Sequence, residues 1–160
     1  MDKLDAPLVN DTGADLLRLD RQMCFALYSA SLAMTKLYKP ILAELGLTYP
    51  QYLLMLVLWE RDAVTVSALK ERLHLDYGTL TPLIKRLEKR QLLSRTRSPE
   101  DERQVLIHLT DQGRELKVQA QPVPTQVAEV SGCSATEMAE LKQQLDALRQ
   151  RLHRHLEPST

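Results

Sequence analysis

Apolar residues at Leu16, Leu19, Met23, Leu27, Leu37, Ile41 and Leu45 recur mainly three and four positions apart, which predicts a long amphipathic helix ended by Gly46. Pro40 lies inside this pattern, so a kink there or a break into two helices is expected. Tyr49-Pro50 opens a second helix through Leu53, Leu54, Leu56, Val57, Leu58 and Trp59; it is apolar on most faces and should be buried. Thr65 reads as the N-cap of a short helix through Leu69 and Leu73, and Asp76 as the N-cap of another through Leu80, Leu83, Ile84 and Leu87. Only residues 74 to 76 separate the two, a connection short enough for a helix-turn-helix.

Residues 92–97 and 103–109 read as strands, with Ser98-Pro99-Glu100-Asp101-Glu102 as the loop between them. A β-hairpin following a helix-turn-helix makes a winged helix. Thr110 is placed to cap a further helix from Asp111, and Pro122 and Pro124 deny that helix a regular path beyond about Gln121. Ser134 or Thr136 then starts a last helix whose Met138, Leu141, Leu145, Leu148 and Leu152 keep a heptad rhythm. Such a stripe needs a partner, and long helices flanking a compact middle are most readily buried against a second copy. The expected fold class is mainly α, a winged helix-turn-helix with N- and C-terminal dimerisation helices. Residues 1–46 would form an arm and the first long helix, 47–110 the winged helix-turn-helix, and 111–160 the C-terminal helices.

Composition agrees with helices packing on one another, since 44% of the chain is apolar and only 4% aromatic. Formal net charge is zero, with 21 basic and 21 acidic residues, so bulk charge gives no argument for nucleic acid. Its distribution is more informative. The start is acidic, with Asp2, Asp5, Asp11, Asp15 and Asp20 against Lys3 and Arg18. Residues 77–97 hold Lys85, Arg86, Lys89, Arg90, Arg95 and Arg97 against Glu88 alone. Taken by itself this basic patch fits a solvated face as well as a nucleic-acid site.

The first residues show no basic start leading into an apolar run and a cleavage site, and no apolar stretch is long enough to span a bilayer. A cytoplasmic protein without membrane contact is expected. Cys24 and Cys133 belong to no CxxC or Cys/His cluster, which argues against structural zinc, and in a reducing compartment a disulfide between them would be transient. His74, His108, His153 and His155 form no ligand pattern, so neither metal nor cofactor is expected.

Two sets of motifs carry a family resemblance. Asp101-Glu102-Arg103, the apolar strand after it, and Leu109-Thr110-Asp111-Gln112-Gly113 resemble the wing and exit of the MarR family of DNA-binding regulators. Leu75-Asp76-Tyr77-Gly78-Thr79-Leu80-Thr81-Pro82-Leu83, with Cys24-Phe25-Ala26-Leu27-Tyr28 and Thr48-Tyr49-Pro50-Gln51-Tyr52, resembles the organic hydroperoxide regulators within that family. The resemblance implies a dimeric repressor of operator DNA that is not an enzyme.

Physical reasoning assigns the DNA contacts in parallel. With Asp76 as N-cap, Gly78, Thr79, Thr81 and Pro82 occupy the opening turns of the recognition helix, the part that meets base edges in the major groove. Threonine methyls and hydroxyls can read thymine methyls or base-edge groups. Lys85 and Arg86 lie further along and suit phosphates. Arg103, with Arg95 and Arg97 on the preceding strand, would make the wing basic enough for phosphates or a minor groove, and Asp101 is placed to orient Arg103 through a salt bridge. A dimer would then bind a near-palindromic site.

By its neighbours Met23, Phe25 and Leu27 alone, Cys24 reads as a small buried hydrophobe. The resemblance instead implies that Cys24 is a peroxide-reactive thiol hydrogen-bonded by Tyr38 and Tyr49, and that Cys133 is the resolving cysteine of the two-cysteine type. Fourteen residues separate Cys24 and Tyr38, roughly 21 Å along one helix, so the two can meet only if Tyr38 comes from an antiparallel helix of a second copy. Two other readings stay open: release by a small aromatic ligand instead of thiol chemistry, and a thiol peroxidase.

Overall fold

The computed structural model describes Gly13 and residues 15–156, so Asp2, Asp5 and Asp11 of the acidic start lie outside the described residues. Two short 3-10 turns, Asp15–Leu17 and Leu19–Arg21, precede the first α-helix, α1 (Met23–Ala43). The expected helix from Leu16 is thus shortened. Gln22 explains where it begins: its side-chain amide donates to the carbonyls of Leu16 (2.6 Å) and Arg18 (3.1 Å), while its own carbonyl accepts from Ala26 N–H as the first helical bond. Pro40 does not divide α1, contrary to the expected break, and the helix runs on to Ala43. The proline costs the ladder the bond to the Lys36 carbonyl, and the helix absorbs that loss three residues before its end. Gly46, at φ +63°, then turns the chain.

Helix α2 (Tyr49–Glu60) opens with a capping box between Thr48 and Gln51, and buries Tyr52, Leu54, Met55, Val57, Leu58 and Trp59. It is the axis of the core, as its apolar faces predict. A two-residue strand β1 (Val64–Thr65) leads into α3 (Val66–Leu73), capped by Thr65, and α4 (Tyr77–Lys89), capped by Asp76. The turn between them passes through His74 in the left-handed region at φ 53°. Strands β2 (Leu93–Arg97) and β3 (Val105–Leu109) form the hairpin, and β1 pairs with β3 to give an antiparallel sheet of order β1-β3-β2. The hairpin was predicted; β1 was not, because two residues are too few for an alternation to show.

Helix α5 (Asp111–Ala120) ends before Pro122, and α6 (Val123–Ser131) restarts with Pro124 in its first turn, as the proline spacing predicts. Gly132 at φ 68° turns into α7 (Ala135–Leu156), whose cap is Ser134 in a reciprocal pair with Glu137. No residue of α7 is buried: Leu141, Leu145 and Leu152 stand exposed along one stripe. The rear of α1 (Leu37, Ile41, Leu42) joins the core, while Met23, Phe25, Leu27 and Leu32 at its front are exposed.

Where the wing returns to α5, side chain and backbone interlock. The Thr110 side chain caps α5 by accepting from Gly113 N–H, and its hydroxyl donates to the Gln91 carbonyl. Trp59 Nε1 donates to the Gly113 carbonyl at 2.9 Å. Asp62 accepts from the Leu109 and Ala63 amides at 2.8 Å each and from Arg114 at 2.9 Å. Burial would raise the Asp62 carboxyl, yet these donors outweigh it and hold it below the usual range.

A Cβ on Gly113 would lie 2.1 Å from the Leu92 carbonyl oxygen, so only glycine lets α5 approach the start of β2 this closely. Gly113→Ala is therefore expected to destabilise the fold by roughly 1–3 kcal/mol through overpacking. Urea unfolding followed by the single tryptophan, Trp59, reads both the loss and the altered indole environment; an unchanged midpoint would contradict the close approach.

Candidate DNA interface and thiol site

Helix α4 is sharply two-sided. Leu80, Leu83, Ile84 and Leu87 are buried, and Gly78, Thr79, Thr81, Pro82, Lys85 and Arg86 are all exposed on the opposite side. Its start is fixed by the Asp76 carboxylate, which accepts from Thr79 N–H at 2.7 Å. That bond, then the Thr79 side chain, holds the Asp76 carboxyl below the usual carboxylate range, so the cap stays charged. A Cβ on Gly78 would meet only Asp76 Oδ1 at 3.4 Å, an ordinary contact. The fold does not require glycine there, which leaves the bare backbone available to an approaching ligand.

The wing tip is tied by its own backbone. Ser98 N–H donates to the Gln104 carbonyl, Gln104 N–H to the Asp101 carbonyl, and Arg103 N–H to Asp101 Oδ1 at 3.1 Å. The expected salt bridge from Asp101 to the Arg103 side chain is not formed; the carboxylate spends its acceptors on the loop backbone and the Gln104 side chain. It shapes the loop that carries Arg103. Arg103 and Arg97 point no charge at any acidic partner among the described residues. Arg95 differs, because it forms an ion pair with Glu88 of α4 at 2.6 Å and so braces the wing against the recognition helix. Arg90 is also engaged, donating to the carbonyls of Leu45 and Gly46.

Tyr38 of α1 and Tyr49 of α2 stack with ring centroids 4.4 Å apart, and Tyr52 lies 5.9 Å from Tyr38. Burial, reinforced by Tyr49 and Tyr52, pushes the Tyr38 phenol up to about 12; burial also raises Tyr49. Both remain protonated donors at neutral pH. Cys24 is exposed and occupies the first turn of α1. The purely local reading of Cys24 as a buried hydrophobe therefore fails for the single chain. Cys133 is a free, exposed thiol in the bend between α6 and α7, its amide donating to Ser131 Oγ at 3.3 Å.

Residues 36–119 match the family model described as transcriptional regulator SarA/Rot. Along most of its length the chain is 48% identical to the organic hydroperoxide resistance transcriptional regulator of Bacillus subtilis, over 139 residues that make up 87% of this chain and 95% of that one. The chain belongs to the MarR family of transcriptional regulators. Among solved structures it is similar to AbfR, a Staphylococcus epidermidis protein. Reduced AbfR bound to DNA is 34% identical, with a TM-score of 0.71 over 91% of this chain and 100% of that one. Disulfide-formed AbfR is 38% identical, with a TM-score of 0.56 over 84% and 95%.

The match to the family model begins within α1 and stops within α5, so it takes in the winged helix-turn-helix and neither cysteine. MarR membership rests on this match together with the 48% identity over 139 residues, and the thiol chemistry needs its own argument. The fold brings Tyr38 and Tyr49 together, while Cys24 stays at the far end of the helix that carries Tyr38. Tyr52 was missed, although its place three residues after Tyr49 puts both on one face of α2.

A phenol with a raised pKa contributes stability that is fully present below its unfolded value, about 10, and lost as pH climbs through the folded value of about 12. Thermal midpoints should consequently fall between pH 10 and 12 in the wild type and fall less in Tyr38→Phe. Parallel curves for the two would remove the buried phenol from the account.

Proposed function

We propose that this chain is a homodimeric transcriptional repressor that binds near-palindromic operator DNA when reduced and is released when an organic hydroperoxide oxidises Cys24. The observation that carries the reading is the division of the chemistry along α1. The thiol sits in the first turn, the paired phenols near the last, fourteen residues and roughly 21 Å away. A thiol–phenol site therefore needs the antiparallel α1 of a second copy. The bare front of α1 and the leucine stripe of α7 are the surfaces that copy would cover.

In such a dimer the Tyr38 and Tyr49 hydroxyls would donate to the Cys24 thiolate and steady it. The thiolate attacks the distal peroxide oxygen, the O–O bond breaks, the distal OH stays on sulfur as a sulfenic acid, and the alkoxide takes a proton from solvent to leave as an alcohol. Cys133 of the other subunit would then attack that sulfur, releasing water and leaving a disulfide, which a dithiol reductant reverses. The apolar residues around Cys24, Met23, Phe25 and Leu27, favour organic over inorganic peroxide. Bridging requires the α-carbons to come within about 7 Å, so closure would couple the first turn of α1 to the bend between α6 and α7 of the other subunit.

On DNA, the N-terminal turns of α4 would enter the major groove with Gly78, Thr79, Thr81 and Pro82 at the base edges. Lys85, Arg86, Arg97 and Arg103 would meet phosphates or the adjacent minor groove. The relatives support this reading: AbfR has been seen reduced and bound to DNA, and also with a disulfide formed.

Fluorescence anisotropy on duplex DNA from upstream of its own gene tests the proposal. Cumene hydroperoxide at near-stoichiometric amounts should abolish tight binding, dithiothreitol should restore it, and Cys24→Ser should ignore the oxidant. Binding by the wild type that ignores peroxide would shift the reading to a ligand-released repressor. Steady turnover of many peroxide equivalents per subunit would shift it to a thiol peroxidase.

The basic residues separate by role. Arg103→Ala should lower affinity for every duplex and flatten log Kd against log salt by about one unit, as loss of one phosphate contact requires. Arg95→Ala, which breaks a pair to Glu88, should leave that slope nearly unchanged. Equal slopes for both variants would undo the assignment.

A further inference from the structure

Arg90 belongs by sequence to the basic patch, yet its guanidinium is turned away from the exposed face of α4. It follows the last residue of α4, and its two terminal nitrogens donate to the carbonyls of Gly46 and, at 3.2 Å, of Leu45. Those carbonyls close α1, where the Leu45, Gly46 and Leu47 amides fold back on Leu42 and Ala43. Carbonyls at a helix end lack intrahelical donors, and a planar, always-charged fork satisfies two of them in a fixed geometry. The glycine is part of the fit. At φ +63° Gly46 turns its carbonyl toward the fork, and a Cβ there would lie 2.9 Å from Arg90 Nη2. The end of α1 and the end of α4 are thereby fastened to each other.

We propose that Arg90 is a positioning residue that couples α1 to the recognition helix, so that displacement of α1 at the dimer interface is passed to α4. This rests on the function proposed above. The front half of α1 is bare and can be moved by a second copy, whereas the rear half, through Leu42 and Leu45, is seated in the core. A stiff helix held in this way transmits movement to its closing turn, the place where Arg90 grips. The neighbouring core contacts through α2 hold the elements together, and the fork fixes their relative angle. Arg90 acts through α4 and makes no DNA contact of its own.

Arg90→Lys keeps the charge and loses the fork, and Arg90→Gln loses both. With reduced protein on the upstream duplex, both variants should keep a salt slope within experimental error of wild type, since no phosphate contact is removed. Their ratio of oxidised to reduced Kd should fall at least threefold below the wild-type ratio. Loss of stability alone would lower the unfolding midpoint and leave that ratio in place, and an unchanged ratio in both variants would overturn the proposal. A second readout needs no peroxide. Duplex DNA should slow hydrogen exchange of the Leu45, Gly46 and Leu47 amides in the wild type and in neither variant, with α4 protected in all three; equal protection at residues 45–47 would also overturn the coupling. Wild-type binding that ignores peroxide, with the exchange difference intact, would sink the redox reading and leave the α1–α4 coupling standing. A wild type that binds no duplex at all would bring down both.

Discussion

Helix α1 has to satisfy two environments with one rigid rod. Its rear packs Leu37, Ile41 and Leu42 into the core built around α2, and its front holds Met23, Phe25, Leu27 and Leu32 out in solvent. At about 25 cal/mol for each Å² of apolar surface, a row of exposed side chains of this size is a strong driving force toward association. Helix α7 has the same requirement, with no buried residue along 22 positions. A second copy laid along α1 and α7 would cover both at once. The same rod keeps Cys24 from the phenols of its own chain, so the surface that demands a partner is also the one that assembles the proposed sensor.

The basic patch shows how far charge can be read without geometry. Six positive side chains between residues 77 and 97 look alike in sequence. Folding sorts them. Arg90 ties α4 to α1, Arg95 is paired with Glu88, and Lys85, Arg86 and Arg97 remain at the surface on α4 and the wing. The single acid in the stretch, Glu88, thus does more than dilute the patch. It engages one arginine of the patch in an ion pair that links the hairpin to α4.

Much of the fold could be read from local chemistry because its boundaries are set locally. Thr48, Thr65, Asp76 and Thr110 cap the helices they precede, and Pro122 and Pro124 separate α5 from α6. Two features depended on distant or subtle contacts and were not legible. The start of α1 is decided by the Gln22 side chain reaching back to Leu16 and Arg18, a contact no periodicity reports. Strand β1 exists only because Val64 meets Ile107, far along the chain. At the site, the family pattern names Tyr38 and Tyr49 as partners of Cys24 and the fold sets their rings 4.4 Å apart, whereas the expected Asp101–Arg103 salt bridge gives way to backbone bonds that close the loop. A short carboxylate beside free amides fills its acceptors from the nearest donors first.

If oxidation at the dimer interface weakens DNA binding, thermodynamic linkage requires that DNA binding resist the conformational change by the same factor. An operator-bound dimer is then harder to drive into the disulfide form than a free one. The resistance is confined to the later step. In the proposed dimer, attack on the peroxide at Cys24 would need only the thiolate and its phenol donors, while closure onto Cys133 would need α-carbons within about 7 Å. On that scheme sulfenic acid would form on the bound repressor, and the free energy of DNA release would fall on disulfide closure. The strength of the α1–α4 connection then sets how much of that closure reaches the recognition helix: a loose joint would let the disulfide form with the repressor still on its operator, and a stiff one makes the two events a single transition.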